Sequence, residues 1–390
     1  MSGASPEGGE ARHTASLRVP FNRPALAGRE MEYIQDAVRR GHLSGDGWYT
    51  RRCHELLREI LGAPQVLLTT SCTHALELAA MLLEVGPGDE VILPAFTFVS
   101  TANAFVLRGA HPVFADIRPD TLNLDEEDVA RKVTPRTRAI VPVHYAGVGC
   151  EMESLHEVAR QAGATLVEDA AHALFGSYRN RSLGTFGSLA ALSFHETKNV
   201  TCGEGGALVI NDPALIERAE ILREKGTNRS RFFRGEVDRY TWMDVGSSYL
   251  PSDLLAAVLL AQLEAREESQ RRRREIWETY AARLGDWAAA RDICLPVVPD
   301  HCQQPYHLFY LLFPTLAERE QFSDRLRHAG VYTTFHYLPL HLSQMGRRFG
   351  GRPGDCPVTE SVSDRLLRLP LFSGLTEIEQ AQAIEVILDA

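Results

Sequence analysis

Residues 165–172 read Thr-Leu-Val-Glu-Asp-Ala-Ala-His, and this stretch decides how the chain is interpreted. Its first half is a short apolar run, which is typical of a buried strand, and Asp169 stands where that strand ends. Four similar runs precede it, each separated from the next by a helical pattern. Such alternation predicts an α/β fold with a mainly parallel sheet between two layers of helices.

The predicted elements of this region can be assigned to short segments. Strands are predicted at Val66–Thr69, Glu90–Leu93, Pro112–Asp116, Ala139–Val143 and Thr165–Asp169. Helices are predicted between them at Thr73–Leu83, Phe98–Leu107, Asp125–Lys132 and Met152–Gln161. Two more strands follow without a long helix between them, at Leu189–Phe194 and Ala207–Ile210. We therefore expect one mixed, mainly parallel sheet.

The pattern changes after a long helical stretch, Ser252–Ala282. Beyond it we predict strands at His307–Phe313 and Val331–Phe335, and helices at Leu316–His328, Thr359–Leu367 and Thr376–Leu388. This order predicts a smaller C-terminal α+β domain. We place the large domain at residues 17–265 and the small domain at residues 266–390. Residues 1–16 are rich in Gly, Ser, Ala and Glu, and we predict that they form a disordered tail.

The composition excludes several classes of protein. The hydrophobic fraction of 44% and the charged fraction of 24% are ordinary for a soluble globular protein. A net charge of −10 argues against a nucleic-acid partner. The chain contains no apolar run long enough to span a bilayer, so no membrane partner is expected. The seven cysteines are scattered without CxxC spacing, which suits a reducing cytoplasm.

Candidate ligand-binding residues are sought where strands end, because ligands of open α/β sheets bind at the carboxyl ends of the strands. Asp169 ends one strand, where its carboxylate could pair with a protonated ring nitrogen. A helix N-cap is an equally good explanation of this aspartate. His172 could bond a phenolic oxygen on the same ring, or could be a satisfied polar residue.

Small and hydroxyl residues follow the first predicted strand. Cys72 and Thr73 open the next helix, and the free N–H groups of a helix N-terminus suit a phosphate. The alternative is an ordinary N-cap. Ser193, at the end of a later strand, is placed to bind the same phosphate. Phe96 follows the second strand and could stack on a flat ring, or could be a core residue.

Lys198 lies five residues after Ser193 in a chain with three lysines and abundant arginine. Arginine cannot act as an amine nucleophile because it does not lose its proton in proteins, whereas lysine can when its pKa is lowered. Lys198 is therefore a candidate imine-forming residue, with a solvated surface lysine as the alternative. Phosphate cradle, ring stacker, ring-nitrogen carboxylate and lysine together fit pyridoxal 5′-phosphate (PLP).

Other cofactor and metal sites are not supported. No GxGxxG, GxxxxGK[ST] or HExxH motif is present. His336 and His341 lie close together in the sequence but have no evident third ligand, so no metal site is expected.

The quoted segments also carry a family resemblance. Ser71–Leu76, Pro94–Phe98, Glu168–His172 and Ser193–Lys198 resemble the DegT/StrS family of sugar aminotransferases, which are fold-type I PLP enzymes acting on nucleotide sugars. The resemblance extends from about Val19 to the C-terminus. It is closest to transaminases that make dTDP-4-amino-4,6-dideoxyhexoses, through the segments Phe98–Ala110, Val141–Gly147, Arg223–Ser230 and Leu366–Phe372.

The resemblance implies a role for each matching residue. Lys198 would form the imine with PLP and carry the proton, Asp169 would pair with the pyridine nitrogen, and Phe96 would stack on the ring. Cys72, Thr73 and Ser193 would hold the phosphate, and His172 would bond the ring hydroxyl where many relatives have Gln. Ser248 stands where many relatives have an Asn that reaches the phosphate in the other subunit. A homodimer with sites at its interface is therefore implied.

The resemblance also implies the reaction. The amino group would pass from L-glutamate to C4 of dTDP-4-keto-6-deoxy-D-glucose, giving a gluco or galacto product. The segment from Asn228 to Tyr240, which includes Arg229 and Arg231, would meet the diphosphate, unless it is an exposed charged loop. His336 is a further candidate for contact with the sugar. The alternatives are a PLP-dependent sugar dehydratase, in which a histidine replaces the lysine, and a non-catalytic dimeric regulator.

Overall fold

The computed structural model of the protein describes residues 18–389. Its strands, in chain order, are β1 (Gln65–Thr69), β2 (Glu90–Pro94), β3 (His111–Ala115), β4 (Thr137–Ile140), β5 (Thr165–Asp169), β6 (Ser177–Tyr178), β7 (Arg181–Ser182), β8 (Leu189–Ser193), β9 (Gly206–Ile210), β10 (Cys302–Gln303), β11 (Tyr310–Leu312) and β12 (Leu366–Arg368). The predicted tail at residues 1–16 lies outside the described residues.

Helices precede, separate and follow these strands. They are α1 (Glu30–Arg40), α2 (Trp48–Leu61), α3 (Cys72–Leu82), α4 (Val99–Val106), α5 (Glu126–Lys132), α6 (Met152–Ala162), α7 (Ile216–Arg223), α8 (Arg229–Phe233), α9 (Asp253–Glu264), α10 (Arg266–Ala289), α11 (Leu316–His328), α12 (Gln344–Arg348), α13 (Pro357–Arg365) and α14 (Glu377–Leu388). In this part of the chain, no helix is both long and apolar enough to cross a membrane.

Within residues 18–389, seven strands form the main sheet in the order β1-β9-β8-β5-β4-β2-β3. The pairs from β3 to β8 are parallel, and β9 is antiparallel to both of its neighbours, β8 and β1. The sheet is therefore mixed and mainly parallel, and the predicted α/β fold is confirmed. The crossovers from β2 to β3, from β3 to β4 and from β4 to β5 each carry a helix, α4, α5 and α6, whereas the connection from β5 to its parallel neighbour β8 carries only the short strands β6 and β7.

Side chains on the two faces of the sheet pack into two separate apolar cores. Val66 and Leu166 belong to the core under α2, α6 and α9, whereas Leu67 and Val167 belong to the core under α3 and α4. Because successive side chains of a strand point to opposite faces, residues one apart enter different cores. This alternation decides where the acidic residues at the end of β5 point.

A third core holds the C-terminal region together. It includes Tyr280 of α10, Phe309, Leu367 of β12 and Ile384 of α14. Val19 packs into this core and forms an isolated parallel bridge with Val331, although the sequence assigns residues 17–265 to the large domain. The predicted division after residue 265 falls between α9 and α10.

Several predicted elements differ from the observed ones. The strand predicted at Val331–Phe335 does not form; its residues make isolated bridges, such as that of Thr334 with Arg368. The helix predicted to reach Leu367 ends at Arg365, because the next residues pair with β11 as β12. The helical stretch predicted at Ser252–Ala282 consists of two helices, α9 and α10, and the second extends to Ala289. Helices α1 and α2 were not predicted.

Candidate active site

A cavity of about 440 Å³ lies at the carboxyl ends of β5 and β8, and residues of the C-terminal region close it. Its walls bring together residues that are distant in the sequence. Seven of the predicted site residues line it: Cys72, Thr73, Asp169, His172, Ser193, Lys198 and His336. They come from four separate stretches of the chain, 72–73, 169–172, 193–198 and residue 336, so their convergence is a property of the fold.

One end of the cavity is suited to a phosphate. Ser71 caps α3, and its side chain accepts a hydrogen bond from the N–H of His74 at 3.1 Å. The first N–H groups of a helix have no partner within the helix, so those of Cys72 and Thr73 are available to an anion. At Gly206 a side chain would overlap the backbone of Ser71 and Cys72, so glycine is needed for β9 to lie against this end.

Asp169 lies on the floor of the cavity and is buried. The hydroxyl of Thr101 donates to its Oδ2 at 2.7 Å, and the N–H of Ala171 donates to its Oδ1 at 3.2 Å. Burial raises the pKa of Asp169, against the opposing effect of these hydrogen bonds and of Lys198. A carboxylate in this setting is stabilised by a cation within the cavity, such as a protonated pyridine nitrogen.

Lys198 follows a turn in which its own N–H donates to the carbonyl of His195 at 2.9 Å. Burial lowers the pKa of the Lys198 amine to about 8, and the nearby Arg368 acts in the same direction. Cys72 and Asp169 oppose this shift. The lowered pKa makes the unprotonated amine, which an imine-forming lysine requires, far easier to reach than in a free lysine.

Three histidine rings form one wall of the cavity. His172 stacks on His307 with 4.2 Å between ring centroids, and His336 lies 5.9 Å from His172. Burial lowers the pKa of all three rings well below the usual value. The Nδ1 of His307 lies 2.8 Å from Oδ1 of Asn199, whereas the Nδ1 of His172 is buried without a partner. That orphaned atom fits a ligand hydroxyl in the cavity.

The prediction that Phe96 stacks on the cofactor ring is wrong. Phe96 is 1% exposed and packs against the rings of Tyr145 and Tyr337, with centroids 5.1 and 5.5 Å away, so it cannot reach a ligand. Phe98, two residues later, lines the cavity. The chain leaves β2 at Pro94, and the intervening turn sends the first phenylalanine into the core and the second into the site.

Five predicted residues do not line the cavity of the single chain: Asn228, Arg229, Arg231, Tyr240 and Ser248. The two arginines make ion pairs with carboxylates at and near helix α7, Arg229 with Glu224 at 2.9 Å and Arg231 with Glu217 at 2.8 Å. Tyr240 and Ser248 are exposed. Their roles toward a substrate or a second subunit stay predictions.

The cavity also contains residues that the sequence interpretation missed. Thr101 orients Asp169, Phe98 and Tyr337 line the wall, and His307 stacks on His172. Arg368 enters from β12. The available signal was the resemblance of Phe98–Ala110 and Leu366–Phe372 to the sugar transaminases, which marked the segments of Phe98, Thr101 and Arg368 without indicating a role for these residues.

Phosphate cradle, buried carboxylate, orphaned imidazole nitrogen and low-pKa lysine all converge on one cavity of an α/β fold. Together they define a PLP-dependent enzyme of fold type I. The residues present fit the cofactor: Lys198 would hold its aldehyde, Asp169 its ring nitrogen, and the start of α3 its phosphate.

Comparison with known proteins narrows this class. Residues 24–388 match the model of the DegT/DnrJ/EryC1/StrS aminotransferase family, and the chain belongs to that family. The spore coat polysaccharide biosynthesis protein SpsC of Bacillus subtilis is 32% identical over 379 residues, covering 95% of this chain and 96% of SpsC.

Solved structures agree with this assignment. The aminotransferase TlmJ from Streptoalloteichus hindustanus is 33% identical, has a TM-score of 0.88, and the match covers 96% of this chain and 98% of TlmJ. The putative sugar aminotransferase Spr1654 from Streptococcus pneumoniae, in its PMP form, is 27% identical with a TM-score of 0.88, covering 95% and 98% of the two chains. The protein is thus a PLP-dependent aminotransferase.

Proposed function

We propose that the enzyme transfers the amino group of L-glutamate to C4 of dTDP-4-keto-6-deoxy-D-glucose and yields a dTDP-4-amino-4,6-dideoxyhexose. The observation that carries the proposal is Lys198, whose lowered pKa and position beside Asp169 suit amino transfer. A sugar acceptor is supported by the relatives, since SpsC is named for polysaccharide biosynthesis and Spr1654 for sugar amino transfer. The choice of dTDP and of C4 rests on the sequence segments that resemble that subgroup.

Each residue of the cavity would have a separate role in such a reaction. Bound PLP supplies an electrophilic carbon and a ring that accepts electrons. Asp169 would hold the proton on the ring nitrogen, and the amine of Lys198 would hold and move the proton of the donor's reacting carbon. The orphaned Nδ1 of His172 holds the ring hydroxyl, and the N-terminus of α3 with Ser193 holds the phosphate.

We also propose that the enzyme acts as a homodimer and that the second subunit completes the substrate site. Exposed apolar side chains support this proposal. Val99 begins α4 next to Phe98 of the cavity wall, and Leu107 follows the other end of α4. Phe233 lies in the segment Asn228–Tyr240, and Trp242 lies just after it. These residues are 48% exposed at Val99 and up to 79% exposed at Trp242, so they are available to contact a second subunit. Ser248 would then reach the partner's phosphate.

The decisive experiment mixes the PLP-loaded enzyme with L-glutamate and then with dTDP-4-keto-6-deoxy-D-glucose. We expect the visible absorbance of the cofactor to bleach on the first addition and to return on the second. NMR of the product should show an amino group at C4, and the coupling at C4 gives its configuration. Bleaching without amination of this sugar would reject the acceptor and keep the aminotransferase.

Lysine variants provide the matched control. Lys198→Ala should abolish both absorbance changes, because the amine that binds the aldehyde and moves the proton is gone. Lys225→Ala should behave like the wild type, since the Lys225 side chain is 54% exposed and its nearest carboxylate lies 3.6 Å away at Glu224. Turnover by Lys198→Ala would overturn the assignment. A wild type that never responds to glutamate would favour a non-catalytic regulator.

A further inference from the structure

Thr97 is a buried residue of the cavity wall, in the turn between β2 and α4. It lies between Phe96, which is in the core, and Phe98, which lines the cavity, and it is 2% exposed. Its Oγ1 lies 2.9 Å from Oγ1 of Thr101, in the first turn of α4. Within residues 18–389 this hydroxyl makes no other hydrogen bond, so Thr101 is its one partner in that part of the chain.

The direction of the hydrogen bond between the two threonines follows from their neighbour. Thr101 is fully buried, and its Oγ1 lies 2.7 Å from Oδ2 of Asp169. An ionised carboxylate can only accept hydrogen bonds, so the single hydroxyl proton of Thr101 is donated to Asp169. The proton between the two threonines must then come from Thr97. The three side chains therefore form one chain of donors that runs from Thr97 through Thr101 to Asp169.

Such a chain stabilises the charge at its end more than a single hydroxyl does. Hydrogen bonds in series polarise one another, so a hydroxyl that accepts a hydrogen bond becomes a better donor. A hydrogen bond to an ionised acceptor is also about twice as strong as one between neutral groups. Both threonines therefore stabilise Asp169 when it is ionised, and both lose most of this effect when it is protonated.

The surroundings of Asp169 make this support necessary. Burial favours the neutral carboxyl and raises the pKa of Asp169, and the bond from the neighbouring hydroxyl is the largest opposing effect. Lys198 and His144 also favour the charge, but the pKa of Lys198 is about 8, so its own charge is not permanent. Cys72 and Tyr337 lie nearby as well, and burial raises the pKa of both groups and keeps them neutral.

The chain of hydroxyls also fixes the direction of the carboxylate. Thr101 binds Oδ2 of Asp169 from α4, and the N–H of Ala171 binds Oδ1 at 3.2 Å. Each carboxylate oxygen can accept two hydrogen bonds. Each oxygen therefore keeps one position for a donor in the cavity, such as a protonated ring nitrogen.

We propose that Thr97 is a positioning residue that acts through Thr101 to keep Asp169 ionised and oriented toward the ring nitrogen of the cofactor. This inference rests on the proposed function, because it presumes that Asp169 pairs with that nitrogen. It gives the turn between β2 and α4 two roles, since the turn places Phe98 in the cavity wall and also stabilises the charge on the cavity floor.

The first test titrates Asp169 in the cofactor-free enzyme by NMR of its carboxyl carbon, with Asp169→Asn to assign the signal. Thr101→Val should raise the pKa of Asp169, because the direct donor is lost, and Thr97→Val should raise it by a smaller amount. Thr97→Ser keeps the hydroxyl and should titrate like wild type. An unchanged pKa of Asp169 in Thr97→Val would overturn the proposal.

Thr50 provides a matched control. Its hydroxyl also donates at 2.7 Å to a buried carboxylate, that of Asp253, and both residues lie outside the cavity. Thr50→Val should lower the melting temperature but leave the pKa of Asp169 and the absorbance of the bound cofactor unchanged. A raised pKa of Asp169 in this variant would mean that any lost buried hydroxyl has this effect, and would overturn the assignment to Thr97.

A double-mutant cycle separates this role from support of the turn. In the cofactor-free enzyme, Thr97→Val should lower the melting temperature by about 1–2 °C. In the Asp169→Asn background the loss should be less than half as large, because an amide leaves no charge for the hydroxyls to stabilise. Equal losses in both backgrounds would show that Thr97 only supports the turn, and would overturn the proposal.

The last test follows the PLP-loaded enzyme in single turnovers with L-glutamate. The maximal rate should fall about 10-fold in Thr101→Val and about 3-fold in Thr97→Val, with the half-saturating glutamate concentration within about 2-fold of wild type. The acid limb of the rate profile should move to higher pH in both variants, since the ionised form of Asp169 is required. A limb that stays in place would overturn the proposal. If the wild type does not bleach with glutamate, the proposed function fails, and the titration of the cofactor-free enzyme still tests the hydroxyl chain.

Discussion

Glu168 and Asp169 are adjacent carboxylates at the end of β5, and they serve opposite faces of the sheet. Glu168 is fully buried and accepts hydrogen bonds of 2.6–2.9 Å from His144 and from the N–H groups of Gly184, Phe186 and Gly187. Asp169 accepts two and faces the cavity. Four donors satisfy the first charge completely, so it stabilises the fold. The second charge awaits a ligand, so it serves the reaction at some cost to stability.

The largest effect should come from Asp169→Asn. An amide cannot keep the pyridine nitrogen protonated, so amino transfer should slow about 1,000-fold or more, the scale of losing a preorganised electrostatic partner of the reacting system. The free energy of unfolding of the cofactor-free enzyme should stay equal or rise, since a buried charge is removed. Single-turnover kinetics and urea unfolding would measure the two quantities. A strong loss of stability would contradict the division between the two faces.

Glu168→Gln should show the reverse. The amide can place only one oxygen against the four donors, and its own N–H₂ group would oppose another donor. We expect the free energy of unfolding to fall by about 3 kcal/mol, while each folded molecule keeps near wild-type kcat. Glu153→Gln, at a side chain 61% exposed, is the matched control and should change neither quantity. Loss of kcat without loss of stability would place Glu168 in the reaction.

The smallest effect is the pH dependence of stability that Lys198, a residue of the cavity, should produce. The pKa of Lys198 is about 8 in the folded chain, against 10.5 as its ordinary value. Below pH 8 the amine is protonated in both states, and its burial cost is present. Between about pH 8 and 10.5 the amine is unprotonated in the folded state and still protonated in the unfolded state, so the free energy of unfolding rises with pH. The free energy of unfolding of the cofactor-free wild type should therefore rise by about 1 kcal/mol per pH unit relative to that of Lys198→Met in this window. If the two free energies changed in parallel with pH, the lowered pKa of Lys198 would be refuted.

The sequence predicts most of the main sheet and the chemistry of its strand ends because both are local signals. Apolar runs, interposed helical patterns and the residues that follow them identify Asp169, Ser193 and Lys198 without knowledge of packing. Phe96 shows where this reasoning fails. Two phenylalanines flank Thr97, and only the path of the chain after Pro94 decides which of them enters the cavity.

Arg368 was missed, and the strand at Val331–Phe335 was wrongly predicted, for a different reason. Both depend on how the C-terminal region pairs with distant segments: Val331 bridges Val19, and Thr334 bridges Arg368. Such contacts between residues far apart leave no periodic signature in either segment. Apart from His336, the residues of that region that complete the site, such as Arg368 and His307, were therefore not identified from local patterns.

The contact at Gly206 has a consequence for synthesis on the ribosome. Strand β1 pairs with β9 at the edge of the sheet, and the start of β9 lies against the phosphate end of the cavity. The chain from Thr69 to Gly206 must therefore be translated before β1 gains its partner, which takes on the order of ten seconds. A nascent chain that ends before Gly206 lacks the strand that packs against the phosphate-binding start of α3. PLP can therefore bind only after more than half of the polypeptide has been synthesised.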